Sequence, residues 1–200
     1  MFTRLRTLGH WLGATYAMKK IYLDDAKIRS LALGIIRDIT LSDWRPDYIV
    51  GIGRGGLTPA VLISHYLNVP MYSLKVSLRD GKEEDCDHNC WMSEDAFGYI
   101  DMTEREDQAE RSAPASRANM LIVDDINDSG ATIAWIKKDW PASCLPNDPN
   151  WADIWGRNVR FAVLVNNLAS SESVNYHGME INKAEDPSWI YFPWEEWWTR

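Results

Sequence analysis

Three cysteines in 200 residues, Cys86, Cys90 and Cys144, are too few and too odd in number for a disulfide framework, which places the chain in a reducing cytosol. Positive charge is short as well. Twenty-one Lys and Arg stand against 29 Asp and Glu, a formal charge of −8. A nucleic-acid-binding face needs clustered cations, so the charge argues against that class of partner. No apolar run approaches the length a helix needs to span a bilayer. The stretch 1–19 carries Arg4, Arg6 and His10 but no continuous apolar segment, and it does not read as a signal peptide. Met18, ahead of Lys19 and Lys20, could serve as a natural start. There is no internal repeat and no low-complexity tract. Tryptophan, by contrast, is plentiful: eleven, concentrated from Trp135 onward, whose ordinary use is packing.

The apolar pattern alternates between short runs and helical stripes. Asp24 and Asp25 predict the N-cap of a helix reaching about Ile39. Tyr48 to Ile52 predicts a buried strand, Gly53-Arg54-Gly55-Gly56 a loop and Thr58 to Leu67 a second helix. Pro70 to Val76 and Leu121 to Asp125 predict two more strands, Ala131 to Lys138 a third helix and Val159 to Val165 a fourth strand. Strands alternating with helices imply an α/β fold, a doubly wound parallel sheet covered on both faces. The period collapses over 77–118, an acidic stretch of the length used for mobile lids. Pro141, Pro146 and Pro149 mark 140–158 as an irregular insertion, and the aromatic segment Trp189 to Trp198 suggests a small hood. The expected organisation is an N-terminal extension over 1–20 and one domain over 21–200, with the hood at about 168–200.

The chemistry concentrates in Met120 to Thr132, MLIVDDINDSGAT. An apolar run ends in Asp124 and Asp125. Asp128 follows, then Ser129, Gly130, Ala131 and Thr132, and a helix begins. Backbone N–H groups at that helix start, with two hydroxyls, form an anion cradle. Paired carboxylates beside it suit a diol or a metal-bound oxyanion, and together the two describe a ribose phosphate. The loop Gly53-Arg54-Gly55-Gly56 lets the backbone approach an anion closely, and Arg54 supplies a bidentate cation. Pyrophosphate is its natural guest. Both loops follow strands, at the edge where parallel sheets collect ligands. Asp128 could take a proton from a substrate nitrogen or cap the helix after it.

These residues resemble the 5-phosphoribosyl-1-pyrophosphate (PRPP) motif of the type I phosphoribosyltransferases, with the fit closest to the xanthine-guanine and hypoxanthine branch and spanning Tyr22 to Glu195. The resemblance implies transfer of a phosphoribosyl group from PRPP to a nucleobase nitrogen, a purine being the leading acceptor, with release of pyrophosphate. It implies Mg²⁺ held through water by Asp124 and Asp125, which also take the ribose hydroxyls. Asp128 to Thr132 would hold the 5′-phosphate and Gly53 to Gly56 the pyrophosphate, with a cis peptide before the loop's central glycine. The tail Trp189-Ile190-Tyr191-Phe192-Pro193-Trp194-Glu195 looks like the branch's ending, so Trp189 would stack on the base and the backbone at Ile190 would read its edge. The branch's strand-end lysine, which bonds a 6-oxo group, is replaced here by Asn166-Asn167, and Tyr191 lacks the carboxylate some members use for a 2-amino group. The base therefore stays open, with a non-purine acceptor or a PRPP-sensing regulator that lost the chemistry as alternatives. Ser77-Leu78 stands where the family's lid begins with a Ser-Tyr pair, and Lys75, Arg79 and Lys82 lie nearby. Cys86-x-His88-x-Cys90 has zinc-ligand residue types but no fourth ligand, and a solvated acidic lid is the preferred reading. The expected partners are PRPP and a nucleobase, and the expected assembly is a homodimer.

Overall fold

The computed structural model describes residues 18–78, 86–88, 90–98 and 117–195. Chain order runs β1 (Lys19–Tyr22), α1 (Asp25–Leu41), β2 (Tyr48–Gly53), α2 (Leu57–Leu67), β3 (Met71–Lys75) and α3 (Cys90–Phe97). It continues with β4 (Met120–Asn127), α4 (Ala131–Ser143), a 3₁₀ turn (Pro149–Asp153), β5 (Val159–Asn167), β6 (Tyr176–Ile181) and β7 (Ser188–Tyr191). Five strands form one parallel sheet in the order β3-β2-β4-β5-β6. The continuous apolar runs follow from burial on both faces. Ile49, Val50, Leu121, Val123, Leu164 and Val165 are all fully enclosed.

Helices cover both faces, as the alternating pattern predicts. On one side α1 and α2 bury Ile28, Ile35, Ile39 and Ile63 against the sheet. On the other, α3, α4 and the 3₁₀ turn bury Met92, Phe97, Ile136, Trp140 and Trp151. Asp24 caps α1, its carboxylate accepting from the Lys27 N–H at 2.7 Å. The sheet grows outward in both directions from the β2–β4 pair, so the chain's winding reverses there. The loops after β2 and β4 open side by side at the carboxyl edge of that reversal.

Several elements depart from the sequence-based expectation. Helix α4 passes through Pro141 and ends at Ser143, taking the first residues assigned to the irregular insertion. Proline inside a helix removes one ladder hydrogen bond and crowds the carbonyl four residues back, which is why the sequence pattern alone ends the helix earlier. The insertion is itself anchored, with Trp151 buried and its indole N–H donating to the Leu145 carbonyl at 3.0 Å. Strand β6, placed by sequence within the hood, is the edge of the main sheet. Helix α3 occupies part of the stretch read as a patternless lid. Most of 77–118, Arg79 and Lys82 included, lies outside the described residues. Finally, β1 starts at Lys19, inside the expected extension, and pairs in parallel with β7 over Lys19↔Ser188 to Tyr22↔Tyr191. The hood is therefore a two-stranded sheet built from distant parts of the chain. No helix among the described residues is long and apolar enough to cross a membrane.

Candidate functional site

The turn after β2 presses its glycines against the end of β4. A Cβ on Gly55 would overlap the Asp125 carboxylate, and one on Gly56 would overlap the Val123 carbonyl oxygen. Only glycine permits this approach. The peptide between Gly53 and Arg54 is cis, one residue earlier than the resemblance implies. Arg54 is exposed on the loop. Lys75, exposed at the end of β3, is in register with Gly53 and so stands beside the same loop. Ser77 follows two residues on, its N–H facing the Cys86 sulfur at 3.4 Å.

Helices α2 and α4 start at Gly56 and Gly130, which have no side chain to cap them, and at α4 the Ser129 hydroxyl accepts the Ala131 N–H at 3.3 Å. The first-turn N–H groups of both helices therefore point at the same carboxyl edge with their partial positive charge. Gly130 has φ of 89°, a left-handed conformation suited to glycine, and a Cβ there would strike Ser170 and Ser171. The 168–175 connection is thus laid over the loop after β4. The Ser171 hydroxyl donates to the Ser129 carbonyl at 2.8 Å. Beneath it, the Asn127 amide donates to Asn166 Oδ1 at 3.0 Å and to the Glu172 carbonyl at 2.7 Å. It also accepts from the Ser170 hydroxyl at 2.9 Å. This network fixes the second loop against the sheet.

The acids differ in environment. The Asp124 carboxylate accepts the Asp125 backbone N–H at 2.9 Å. Part of Asp125 reaches the surface, but its carboxyl group is enclosed. Burial, and then the negative charge of Glu195, raise its pKa above the ordinary 3.8. Asp128 is exposed and does not cap α4. Its Oδ2 accepts from Lys183 Nζ at 2.8 Å, and its Oδ1 faces the Asn167 amide at 3.4 Å. Trp189 is exposed on β7 while Ile190, next to it, is buried, and Lys183 Nζ lies 5.8 Å from the Trp189 ring centroid.

The two asparagines at the end of β5 face inward more than the sequence suggests. Asn167 is buried; its amide donates to the Asp128 carbonyl at 2.9 Å, and its Oδ1 accepts from Ala169 N–H at 3.2 Å and Lys183 N–H at 3.0 Å. Asn166 is half-buried and presents its oxygen to Asn127. Three participants carried no local sequence signal: Lys183, the Ser170–Glu172 corner, and Glu195 as a neighbour of Asp125. Lys183 in particular is isolated in sequence, and only the turn after β6 brings it to Asp128.

Among the described residues no group of three His, Cys, Asp or Glu side chains is placed to hold a metal ion. Cys86 is buried against Ser77, His88 pairs with Asp139 at 2.6 Å, and Cys90 is exposed at the start of α3.

The class so defined is an α/β protein whose carboxyl edge offers glycine-rich, helix-starting loops beside paired carboxylates. Residues 19–199 match the family described as the phosphoribosyl transferase domain, and the chain belongs to that family of enzymes. A hypoxanthine-guanine phosphoribosyltransferase of Schizosaccharomyces pombe is 23% identical over 177 residues, covering 78% of this chain and 79% of the relative. A xanthine-guanine phosphoribosyltransferase of Cereibacter sphaeroides is 26% identical over 152 residues, covering 76% and 70%. The fold is similar to the crystal structure of a purine phosphoribosyltransferase from Pyrococcus horikoshii, with a TM-score of 0.60, 23% identity and coverage of 90% and 96%.

Proposed function

We propose that the protein transfers the 5-phosphoribosyl group of PRPP to a ring nitrogen of a purine base, releasing pyrophosphate, as a step of nucleobase salvage. The observation that carries this reading is the packing of Asp125 on Gly55, which brings a carboxylate pair and two glycine-led helix starts to one edge of the sheet. In this reading the N–H groups and hydroxyls of Ser129 to Thr132 hold the 5′-phosphate, Asp124 and Asp125 hold the ribose hydroxyls, and Gly53 to Gly56 cradle the pyrophosphate. Trp189 stacks on the base, worth about 1–3 kcal/mol, and the Ile190 backbone reads its edge.

The base nitrogen forms its bond to the anomeric carbon as the bond to the pyrophosphate oxygen breaks. Arg54 and Lys75 neutralise charge gathering on the leaving group. Asp128 accepts the proton lost by the base's ring nitrogen. Holding sugar and base in one seat converts an encounter into a positioned reaction. The carboxylates of Asp124 and Asp125 suit Mg²⁺, a hard cation that favours oxygen donors and keeps several waters. Bound there, Mg²⁺ would supply positive charge to the pyrophosphate and ribose oxygens. We assign the reaction to the cytoplasm on the cysteine usage, and two copies of the chain as the assembly, which sedimentation would measure.

The test is direct: incubate the protein with Mg²⁺ and PRPP, supply hypoxanthine, guanine, xanthine, adenine and the pyrimidines in turn, and measure nucleotide and pyrophosphate. Turnover on a purine is expected. Turnover on pyrimidines alone would move the acceptor, and PRPP binding without turnover on any base would replace the enzyme with a sensor.

A further inference from the structure

One charged side chain at the proposed base seat has no part in the chemistry above. Lys183 stands on the turn between β6 and β7, where the Glu185 and Asp186 N–H groups both close onto the Asn182 carbonyl, at 3.2 and 2.9 Å. Its Nζ donates to Asp128 Oδ2 at 2.8 Å and lies 5.8 Å from the centroid of the Trp189 ring. Asn167 links the two sides of this contact. Its Oδ1 accepts the Lys183 backbone N–H at 3.0 Å while its amide donates to the Asp128 carbonyl at 2.9 Å. The Lys183 side chain is 19% exposed, against 49% for Asp128. A freely solvated lysine keeps its rotamers and its water. This one gives up much of both to stand between a carboxylate and an aromatic face.

We propose that Lys183 is a specificity-determining residue that donates to a carbonyl oxygen of the acceptor base, so that the site takes oxo bases in preference to amino bases. The proposal rests on the assignment of Asp128 and Trp189 as the base seat. An ammonium carries three N–H donors and no acceptor, and Asp128 engages one of them. A carboxylate and an ammonium side by side, next to an aromatic plate, complement a flat heterocycle whose one edge presents an N–H and a C=O. Asp128 takes the first and Lys183 serves the second. An amino group in place of the carbonyl sets donor against donor, which is rejection by repulsion. The Asn167 amide, which could have accepted as well as donated, is spent on the protein's own backbone, so discrimination falls on the cation.

Inosine 5′-monophosphate and adenosine 5′-monophosphate differ in carrying a 6-oxo or a 6-amino group. Their affinities would be measured by calorimetry for the wild type, Lys183→Met and Lys183→Arg, with the melting temperature of each variant and its affinity for Mg²⁺-PRPP recorded alongside. The wild type is expected to prefer the inosine nucleotide by about tenfold or more. Lys183→Met should bring the two affinities together while PRPP affinity and melting temperature hold, and Lys183→Arg should keep most of the preference. An unchanged preference in Lys183→Met, an equal loss for both nucleotides, or no preference in the wild type would each overturn the proposal. Turnover is scored separately. A Lys183-dependent preference in a protein that makes no nucleotide upholds the lysine's role and ends the enzyme reading, while turnover with a Lys183-independent preference does the reverse.

Discussion

The carboxylate of Asp125 rests on the backbone of Gly55, so the loop after β2 and the end of β4 leave no room for even a methyl group between them. Gly55→Ala should force that carboxylate to swing away. Because the carboxyl group is enclosed, the variant should also melt lower than the wild type. Affinity for Mg²⁺-PRPP should fall, and turnover should drop by about 10²-fold, the scale of a misplacement near one ångström. Calorimetry, a turnover assay and a urea melt on the same variant check these effects, and wild-type affinity would show that the two loops do not share a ligand.

Asp125 also sets a pH-dependent test. Its folded-state pKa lies above the ordinary 3.8, through burial first and Glu195 second. A carboxyl group shifted in this direction supports the fold below its unfolded value and opposes it as pH rises through the folded value. Asp125→Asn should therefore melt higher than the wild type near neutral pH, with the gap closing as pH falls toward the ordinary carboxylate range. The same variant should bind Mg²⁺-PRPP poorly. A variant that melts lower at neutral pH, by an amount independent of pH, would show that the buried charge is not strained.

Asp128→Ala should lower turnover by about 10²–10⁴-fold, the usual contribution of a general base. PRPP affinity should change far less, because the phosphate donors belong to Ser129 to Thr132. Single-turnover kinetics with the best acceptor distinguish the two effects. Turnover at the wild-type level would leave the carboxylate as no more than the partner of Lys183.

The two asparagines at the end of β5 should respond differently to lysine. Asn167→Lys removes an amide that joins Asp128 to the turn carrying Lys183, and a buried polar group left without its partner costs about 1–3 kcal/mol. It should destabilise the fold and blur base selection. Asn166→Lys keeps that link and should be the milder change. Denaturation curves and the kcat/KM ratio between hypoxanthine and adenine report the contrast, and equal costs at the two positions would remove the special role given to Asn167.

The sheet could be read from sequence because its central strands are continuous apolar runs, which burial on two faces demands. The edge strand β6 is another matter. Tyr176 to Ile181 mixes His177, Gly178 and Glu180 with its apolar residues, since one long side of β6 has no neighbouring strand among the described residues, and it carries no clear period. Helix α3 is eight residues long and buries Met92, Ser93, Ala96 and Phe97, too short a stripe to stand out. In the candidate site, the glycine loops and the paired acids could be picked out because each is contiguous and chemically crowded. Lys183 could not, because it lies 55 residues from Asp128 and meets it through folding alone.

The pairing of β1 with β7 gives the hood a history in time as well as a place in space. During synthesis both phosphate loops and the strands that carry them have emerged once β5 is complete. The aromatic plate at Trp189 follows later in the chain, on the strand that pairs with Lys19 to Tyr22. Competence to hold a sugar phosphate would therefore arise before competence to hold a base. A fusion or trimming that disturbs Lys19 to Tyr22 should be felt first in the choice and grip of the acceptor, and only later in the grip on the sugar.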